Sequence, residues 1–196
     1  MADEGTRPAP AFEMHVCAQV GTYRRFAGTH VLPGDTVVEL GAAEGHTTMR
    51  LAKAAQRVIA VEKSAANVAL ARERCARYDN ITFVNADAFD AGRVLAQTES
   101  AEVVFVDIGG STGPGICLHL ASTYRYLFRP RLMVIRNVEL NDFVCGVGSC
   151  ETTSRPGLWR NPHKGGARRP TAAEATRPLA AGLKPAETEG GEPHDS

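Results

Sequence analysis

The pattern of hydrophobic and polar positions divides the chain into short apolar runs and longer amphipathic segments. The runs are rich in Val and Ile, and each is followed by turn-forming or helix-forming residues. They lie at 36–40, 57–61, 81–84, 102–106 and 131–135. Because strands that are buried on both faces consist of near-continuous apolar residues, this pattern predicts a parallel sheet.

The segments between these runs have the length and composition of helices. The predicted helices are 47–55, 65–78, 88–97 and 114–128. Ser64 suits the N-cap of the second helix, Asp79 and Asn80 suit its end, and Pro114 suits a first helical turn. Right-handed crossovers then give a doubly wound α/β fold with helices on both faces of the sheet.

The two ends of the chain have a different character. Residues 12–26 carry apolar positions at Phe12, Val16, Val20 and Tyr23, a spacing that predicts a helix before the first strand. Residues 32–35 predict a turn. Residues 1–11 are predicted to be flexible and 12–150 to form the domain. From residue 151 to 196, Pro, Gly, Ala and Arg replace periodic apolar residues, which predicts a disordered tail.

Composition narrows the functional classes. Lys plus Arg and Asp plus Glu each total 22, so the net charge is zero and gives no indication of nucleic-acid binding. The five cysteines include no CxxC pair, which favours reduced thiols. The polar start is unlike a signal peptide, and no apolar run is long enough to span a bilayer. We therefore expect a cytoplasmic protein without a membrane partner; the oligomeric state stays open.

The turn after the first predicted strand carries the strongest chemical signal. Small residues there let the backbone pass close to a ligand, and the following helix offers free N–H groups. The glycines of the dinucleotide fingerprint GxGxxG do not fit, because Ala43 and His46 stand at two of its positions. Instead, an acidic residue is followed by small residues at every second position. The candidate ligand-binding residues of this turn are Glu39, Gly41, Ala42, Ala43 and Gly45.

Three later positions place carboxylates at the ends of predicted strands. Glu62, followed by Lys63, ends the second strand, where an acidic side chain can bind two ribose hydroxyls. Asp87 and Ala88 follow the third strand, and Asp87 also suits the N-cap of the next helix. Asp107 ends the fourth strand beside Gly109 and Gly110. Ligands of open α/β sheets bind at these carboxyl ends, so the residues are expected to share one site.

Taken in order, these motifs resemble the class I S-adenosylmethionine-dependent methyltransferases. The turn is similar to their E/D-x-G-x-G-x-G motif, with Ala43 in place of the middle glycine. The resemblance implies S-adenosyl-L-methionine as the cofactor, with Asp87 accepting a hydrogen bond from the adenine amino group and the backbone of Ala88 meeting the ring. It covers about half of the chain and identifies the superfamily, not a subfamily.

The resemblance implies transfer of a methyl group to an acceptor that the sequence does not identify. Asp107 is the candidate for orienting or deprotonating the acceptor, which is a small molecule, an RNA or a protein. The Asn/Asp-Pro-Pro-Tyr signature of amino-directed nucleic-acid methylases is absent after the fourth strand. Some small-molecule relatives bind a metal at this Asp, but Asn137, Glu139, Asn141 and Asp142 make a weak companion set, and Cys145, Cys150 and His163 match no zinc pattern. No metal site is predicted.

The family also has further strands after the fifth, and this sequence does not provide them. A sheet that lacked them would expose an apolar edge or need a partner to cover it. Three alternatives therefore stay open beside a methyltransferase: a non-catalytic protein of the same fold, an NAD-binding oxidoreductase, and a transferase that uses decarboxylated S-adenosylmethionine.

Overall fold

The computed structural model describes residues 12–109 and 112–146. Strands and helices alternate along these residues. The strands are β1 (Glu13–Cys17), β2 (Thr36–Leu40), β3 (Arg57–Glu62), β4 (Ile81–Asn85), β5 (Val103–Val106) and β6 (Leu132–Arg136). The helices are α1 (Val20–Thr29), α2 (Thr48–Ala54), α3 (Ala65–Arg74), α4 (Ala91–Leu95), α5 (Pro114–Phe128) and α6 (Val138–Gly146).

The strands form one sheet in the order β1-β6-β5-β2-β3-β4, and every neighbouring pair is parallel. All five predicted strands are present, with ends within one residue of the prediction. From β2 the chain moves outward through β3 to β4, and then returns to β5 on the other side of β2. The sheet therefore has a switch point between β2 and β5, where this fold class binds its ligands.

Helices cover both faces of the sheet, which confirms the predicted fold class. On one face, α1 and α2 bury Tyr23 and Leu51 against the sheet. On the other, α4 and α5 bury Val94 and Tyr124, and α6 adds Leu140. Each large apolar side chain buried in these layers stabilises the fold by roughly 1.5–3 kcal/mol. The carboxyl ends of the strands are thereby held at fixed positions.

The prediction of one helix over 12–26 is wrong, because this segment contains β1 followed by the start of α1. A spacing of four residues is close to one helical turn. Residues that are an even number of positions apart also lie on the same face of a strand. Phe12 and Val16 therefore lie on one face of an extended chain as well, and both pack against the core layer formed with α5. Pairing with β6, from Glu13 opposite Leu132 to Cys17 opposite Arg136, decides in favour of the strand.

Strand β1 also changes the expectation of a bare sheet edge. Within the described residues no strand follows β6, in agreement with the sequence. However, the side of β6 that faces away from β5 is paired with β1 along its whole length. The N-terminal segment of the chain thus covers the apolar strand that we expected to be exposed.

Two helices differ from the prediction by three or more residues at one end. Helix α3 begins after Ser64, whose hydroxyl accepts from Asn67 N at 3.3 Å as predicted, but it ends at Arg74 instead of residue 78. Helix α4 begins at Ala91, three residues later than predicted, because Asp90 and not Asp87 is its N-cap. In both cases short turns occupy the residues that the helical pattern included.

Helix α6 was not predicted, and it follows β6 directly. The amide oxygen of Asn137 accepts from Leu140 N at 2.7 Å and so caps its first turn. None of the helices in the described ranges has the length and apolar character needed to cross a bilayer. The predictions for residues 1–11 and for the tail at 151–196 fall outside the described residues.

Candidate active site

The loop between β2 and α2 adopts a backbone that few side chains tolerate. Gly41 and Gly45 have φ values of +89° and +82°, and Ala43 has +46°. Positive φ is freely available to glycine but strains alanine by roughly 1–2 kcal/mol. Ala43 is held in this conformation because its N–H donates to Oε2 of Glu62 at 3.0 Å.

Gly41 lies where two strand ends meet. Its N–H donates to Val61 O at 2.9 Å, which ties the loop to β3. A Cβ at Gly41 would clash with the carbonyl oxygen of Asp107 and lie 2.7 Å from the carbonyl carbon. The loop thus crosses directly over the end of β5, and only glycine fits there.

The other end of the loop rests on α3. A Cβ at Gly45 would lie 3.1 Å from Cα of Ala71 and 3.2 Å from Sγ of Cys75, so this glycine serves helix packing. Arg74 donates to the carbonyl oxygen of Glu44 and, at 3.1 Å, to Oε2 of its carboxylate. The loop is therefore fixed at both of its ends.

Glu62 lies at the end of β3 with both carboxylate oxygens oriented by the backbone. Oε2 accepts from Ala43 N, and Oε1 accepts from Ser64 N at 2.8 Å. Asn85, which the sequence analysis left without a role, donates to the carbonyl oxygens of Glu62 and Lys63 at 2.9 and 3.0 Å. Each carboxylate oxygen keeps a lone pair for a ligand hydroxyl.

Asp87 lies beyond the end of β4, and its side chain does not cap a helix. Its Oδ1 accepts from Phe89 N at 3.0 Å in a local turn, and the residue is exposed. The carbonyl oxygen of the buried Ala88 accepts from the hydroxyl of Tyr124 at 2.7 Å. This bond fixes the backbone beside Asp87. The carboxylate of Asp87 itself remains accessible.

A cavity of about 430 Å³ connects these residues, which is within the roughly 300–1,000 Å³ of small-molecule sites. It brings together seven of the ten predicted cofactor-binding residues and adds apolar residues that the sequence analysis missed. Its lining consists of Gly41, Ala43, Val61, Glu62, Lys63, Ala86, Asp87, Ala88, Phe89, Asp107, Ile108, Gly109, Thr112 and Ile116.

The apolar part of the lining includes side chains that are exposed in the structure. Phe89 and Ile116 are 52% and 45% exposed, although side chains of this kind are usually buried. Phe89 also stacks on His119, with ring centroids 5.9 Å apart. Apolar residues beside a polar turn carry no chemical signature, so only the three-dimensional structure places them at the cavity.

Glu39, Ala42 and Gly45 do not line the cavity, although they were predicted to bind the cofactor. Glu39 is 1% exposed, and its Oε2 accepts from the hydroxyl of Thr48 at 2.6 Å. Burial raises the pKa of Glu39 to about 8, and the bond from Thr48 opposes part of this rise. Its position in the motif therefore corresponds to a buried link between β2 and α2.

Asp107 lines the cavity, but its carboxylate is already engaged. Arg136, at the end of β6, donates from Nε to Oδ2 of Asp107 at 2.6 Å. This hydrogen bond raises the pKa of Arg136. The other oxygen, Oδ1, has only a weak contact with Gly109 N at 3.4 Å and is the one available to an acceptor. Of the two predicted roles, orienting the acceptor fits this arrangement better than deprotonating it.

The remaining polar candidates have structural partners or lie outside the site. The amide of Asn137 donates to Thr112 O at 2.5 Å and caps α6. His46 faces Glu44 at 3.7 Å and does not line the cavity. Over residues 12–109 and 112–146, no group of three or more His, Cys, Asp or Glu side chains is arranged to hold a metal ion.

Comparisons with known proteins find similarity to methyltransferases. A family model described as a methyltransferase domain matches residues 37–109. The chain is 36% identical over 78 residues to a probable ribosomal RNA small subunit methyltransferase A of Methanosarcina acetivorans. The aligned region covers 39% of this chain and 29% of the relative. The chain is also 29% identical over 151 residues to the ribosomal RNA small subunit methyltransferase A of Streptomyces coelicolor. The aligned region covers 74% of this chain and 52% of the relative.

Solved structures of the same kind are also similar. An rRNA methylase from Streptococcus thermophilus superimposes with a TM-score of 0.48 at 15% identity, over 65% of this chain and 78% of that one. The chain spans 29% and 52% of the lengths of the two curated relatives. The family match over residues 37–109, together with the motifs and the sheet order, supports the resemblance to the class I S-adenosylmethionine-dependent methyltransferase superfamily and S-adenosylmethionine as the cofactor.

Proposed function

We propose that this chain transfers the methyl group of S-adenosylmethionine to an acceptor bound beside Asp107. The observation that carries the proposal is the cavity at the switch point, where Gly41, Glu62, Asp87 and Asp107 meet. The residues fit the cofactor: a bare backbone at Gly41, a carboxylate for the ribose hydroxyls, and a second one beside apolar side chains for an adenine.

The roles of these residues follow from their positions. Glu62 binds the ribose, since both of its oxygens are oriented by backbone N–H groups. Asp87 binds the adenine amino group, and Phe89 and Ile116 contact the ring. When bound, the cofactor supplies a methyl carbon whose bond to sulfur breaks as its bond to the acceptor forms, leaving S-adenosylhomocysteine. Asp107 orients the acceptor through Oδ1, and the chain mainly positions the reactants.

The proposal also includes the chemical class of the methyl acceptor. We take ribosomal RNA as the first acceptor class, because the two curated relatives are named for it. The net charge of zero and the absent Asn/Asp-Pro-Pro-Tyr signature do not add support for a nucleic-acid base. Small molecules and proteins are therefore tested as acceptors alongside ribosomal RNA in the turnover assay.

Binding is tested first, by calorimetry with S-adenosylhomocysteine. Glu62→Ala is expected to weaken the affinity at least roughly 100-fold, because two charge-assisted hydrogen bonds to the ribose are lost. Glu44→Ala is the matched control. Its carboxylate lies outside the cavity, and the bond from Arg74 to the Glu44 carbonyl survives the change, so the affinity is expected to stay within about threefold.

Turnover is tested with labelled S-adenosylmethionine and separate fractions of ribosomal RNA, protein and small molecules. Incorporation into one fraction identifies the acceptor class. Binding without incorporation into any fraction would support the non-catalytic alternative instead. A parent chain that binds NAD but not S-adenosylhomocysteine would overturn the proposal altogether.

A further inference from the structure

The charged residues of the helices are divided unevenly between the two faces of the sheet. Helices α1, α2 and α3 carry six Arg or Lys residues and a single acid, Glu73. Helices α4, α5 and α6 carry two cations, Arg93 and Arg125, and two acids, Glu139 and Asp142. A chain with zero net charge thus has a basic face. The distribution of charge, more than its sum, decides whether a surface attracts a polyanion.

Helix α2 carries two exposed cations and no acid. Arg50 and Lys53 are three residues apart, so their side chains are neighbours on one side of the helix, with Cβ atoms roughly 5–6 Å apart. Helix α1 packs against α2. Helix α3 packs against the loop before α2, where Gly45 faces Ala71. Cations from both neighbouring helices can therefore reach the surface of α2.

Two arginines do so. Arg24 of α1 donates from Nε to the hydroxyl of Thr47 at 3.4 Å, one turn before the first exposed cation of α2. Arg77, just after α3, donates to Sδ of Met49 at 3.7 Å, one turn before the second. Residues three or four apart on a helix are neighbours, so each arginine lies beside one cation of α2. We call this group the α2 surface, and its members are Arg24, Arg50, Lys53 and Arg77.

The cations of the α2 surface have no ion pair within the protein. Across residues 12–109 and 112–146, no carboxylate lies within ion-pair distance of any of the four. Of the nearby acids, Glu44 is paired with Arg74 at 3.1 Å, and Glu73 forms no ion pair with Arg77. On the opposite face, by contrast, Arg93 is paired with Asp90 at 3.3 Å. The α2 surface is therefore available to an external anion with several charges.

We propose that the α2 surface binds the phosphate backbone of an RNA acceptor outside the cofactor cavity. The inference rests on the proposed function, in which RNA is the first acceptor class. RNA carries a phosphate at every nucleotide, so one strand can contact several of these cations. Three of the four are arginines, whose planar guanidinium groups bind phosphate through paired N–H groups.

The α2 surface lies beside the cavity without forming part of it. Thr47, which contacts Arg24, ends the loop that begins with Gly41, and Gly41 lines the cavity. None of the four cations lines the cavity. Phosphate contacts position a nucleic acid without reading its sequence, so this surface holds the RNA while the group to be methylated lies at Asp107.

The test measures the affinity for a short single-stranded RNA of mixed sequence between about 50 and 200 mM salt. The variant combines Arg50→Gln with Lys53→Gln, because both positions are exposed and glutamine is a good helix former. At the lowest salt its affinity is expected to fall at least roughly tenfold. The slope of log affinity against log salt should become shallower by about 1.4, since each phosphate contact on a single strand contributes about 0.7. Calorimetry should show S-adenosylhomocysteine affinity within about threefold of the parent, because neither residue lines the cavity.

The matched control removes the same number of charges from the other face. It combines Arg125→Gln with Arg129→Gln, in and just after α5, and both residues are exposed. Its RNA affinity should stay within about threefold of the parent, with an unchanged salt slope. Arg50→Lys alone should also keep the slope, because the charge is retained.

Other results contradict one of the two proposals. A parent chain that binds S-adenosylhomocysteine but not RNA overturns this inference and leaves methyl transfer to another acceptor class. A parent that binds RNA but not S-adenosylhomocysteine contradicts the proposed function instead. An equal loss in the control shows that only the total charge matters, and equal affinity for polyglutamate assigns the surface to an acidic protein. Both of these results overturn the inference.

Discussion

The two sides of the switch point differ in how their strand-end side chains are held. On the β3–β4 side, Glu62 and Asp87 accept hydrogen bonds from backbone N–H groups 2 to 19 residues away. On the β5–β6 side, Asp107 is paired with Arg136 across 29 residues, and the Cys17 thiol donates to Ile135 O across 118. The first side is built by local loops, and the second by contacts between distant strands.

This difference bears on the roles that the proposed function gives to the two sides. Backbone groups orient the carboxylates of the β3–β4 side without neutralising them, so these remain available to the neutral hydroxyl and amino groups of a nucleoside. On the β5–β6 side Asp107 is paired with Arg136, so the acceptor of the proposed function would meet a nearly neutral surface with one free oxygen of Asp107. We therefore expect binding of the cofactor and selection of the acceptor to be separable by mutation.

Gly41→Val is expected to have the largest effect, because Gly41 joins the two sides. A side chain there clashes with the Asp107 backbone and demands a positive φ from a β-branched residue. We expect the free energy of unfolding to fall by at least about 3 kcal/mol and S-adenosylhomocysteine binding to be lost. Urea unfolding and calorimetry measure the two effects.

Gly34→Ala is the control for this change, since a Cβ at Gly34 meets nothing within 4 Å. Its stability and affinity should stay close to those of the parent. If Gly41→Val instead bound S-adenosylhomocysteine as tightly as the parent, the loop would not cross over β5 beneath the ligand.

Glu39→Gln is expected to have the next largest effect, visible as a pH dependence. A carboxyl whose pKa is raised in the folded state stabilises the fold most below its unfolded pKa, and the contribution is lost as the pH rises towards about 8. Relative to Glu39→Gln, the parent should therefore lose about 1 kcal/mol per pH unit between pH 5 and 8. Urea unfolding at each pH measures this, and parallel curves for the two proteins would show that Glu39 is not a buried neutral acid.

The Asp107–Arg136 pair is expected to have the smallest effect on stability. Both side chains are partly exposed, at 16% and 21%, so solvent screens their attraction. A double-mutant cycle with Asp107→Asn and Arg136→Gln should give a coupling of about 1 kcal/mol. Arg136→Gln should leave S-adenosylhomocysteine affinity within about threefold, and a tenfold loss would mean that the two sides are not separable.

Much of the fold was predictable because its signals are local. The run of apolar residues at Thr36–Leu40 and the small residues after it define a strand and a tight turn without reference to the rest of the chain. The N-terminal strand was not predictable, because the spacing of Phe12 and Val16 suits both a helix and a strand. Its pairing with β6, more than 100 residues away, resolves the ambiguity.

For the site, the sequence by itself determined which residue types stand at the strand ends and in the turn, and thereby the resemblance to the superfamily and its cofactor. Only the tertiary structure decided their partners. It placed Glu39 in the core, where burial raises its pKa, and it bound Arg136 to Asp107. The physical reason is that charge and hydrogen-bonding capacity belong to a residue, whereas burial and neutralisation belong to its surroundings.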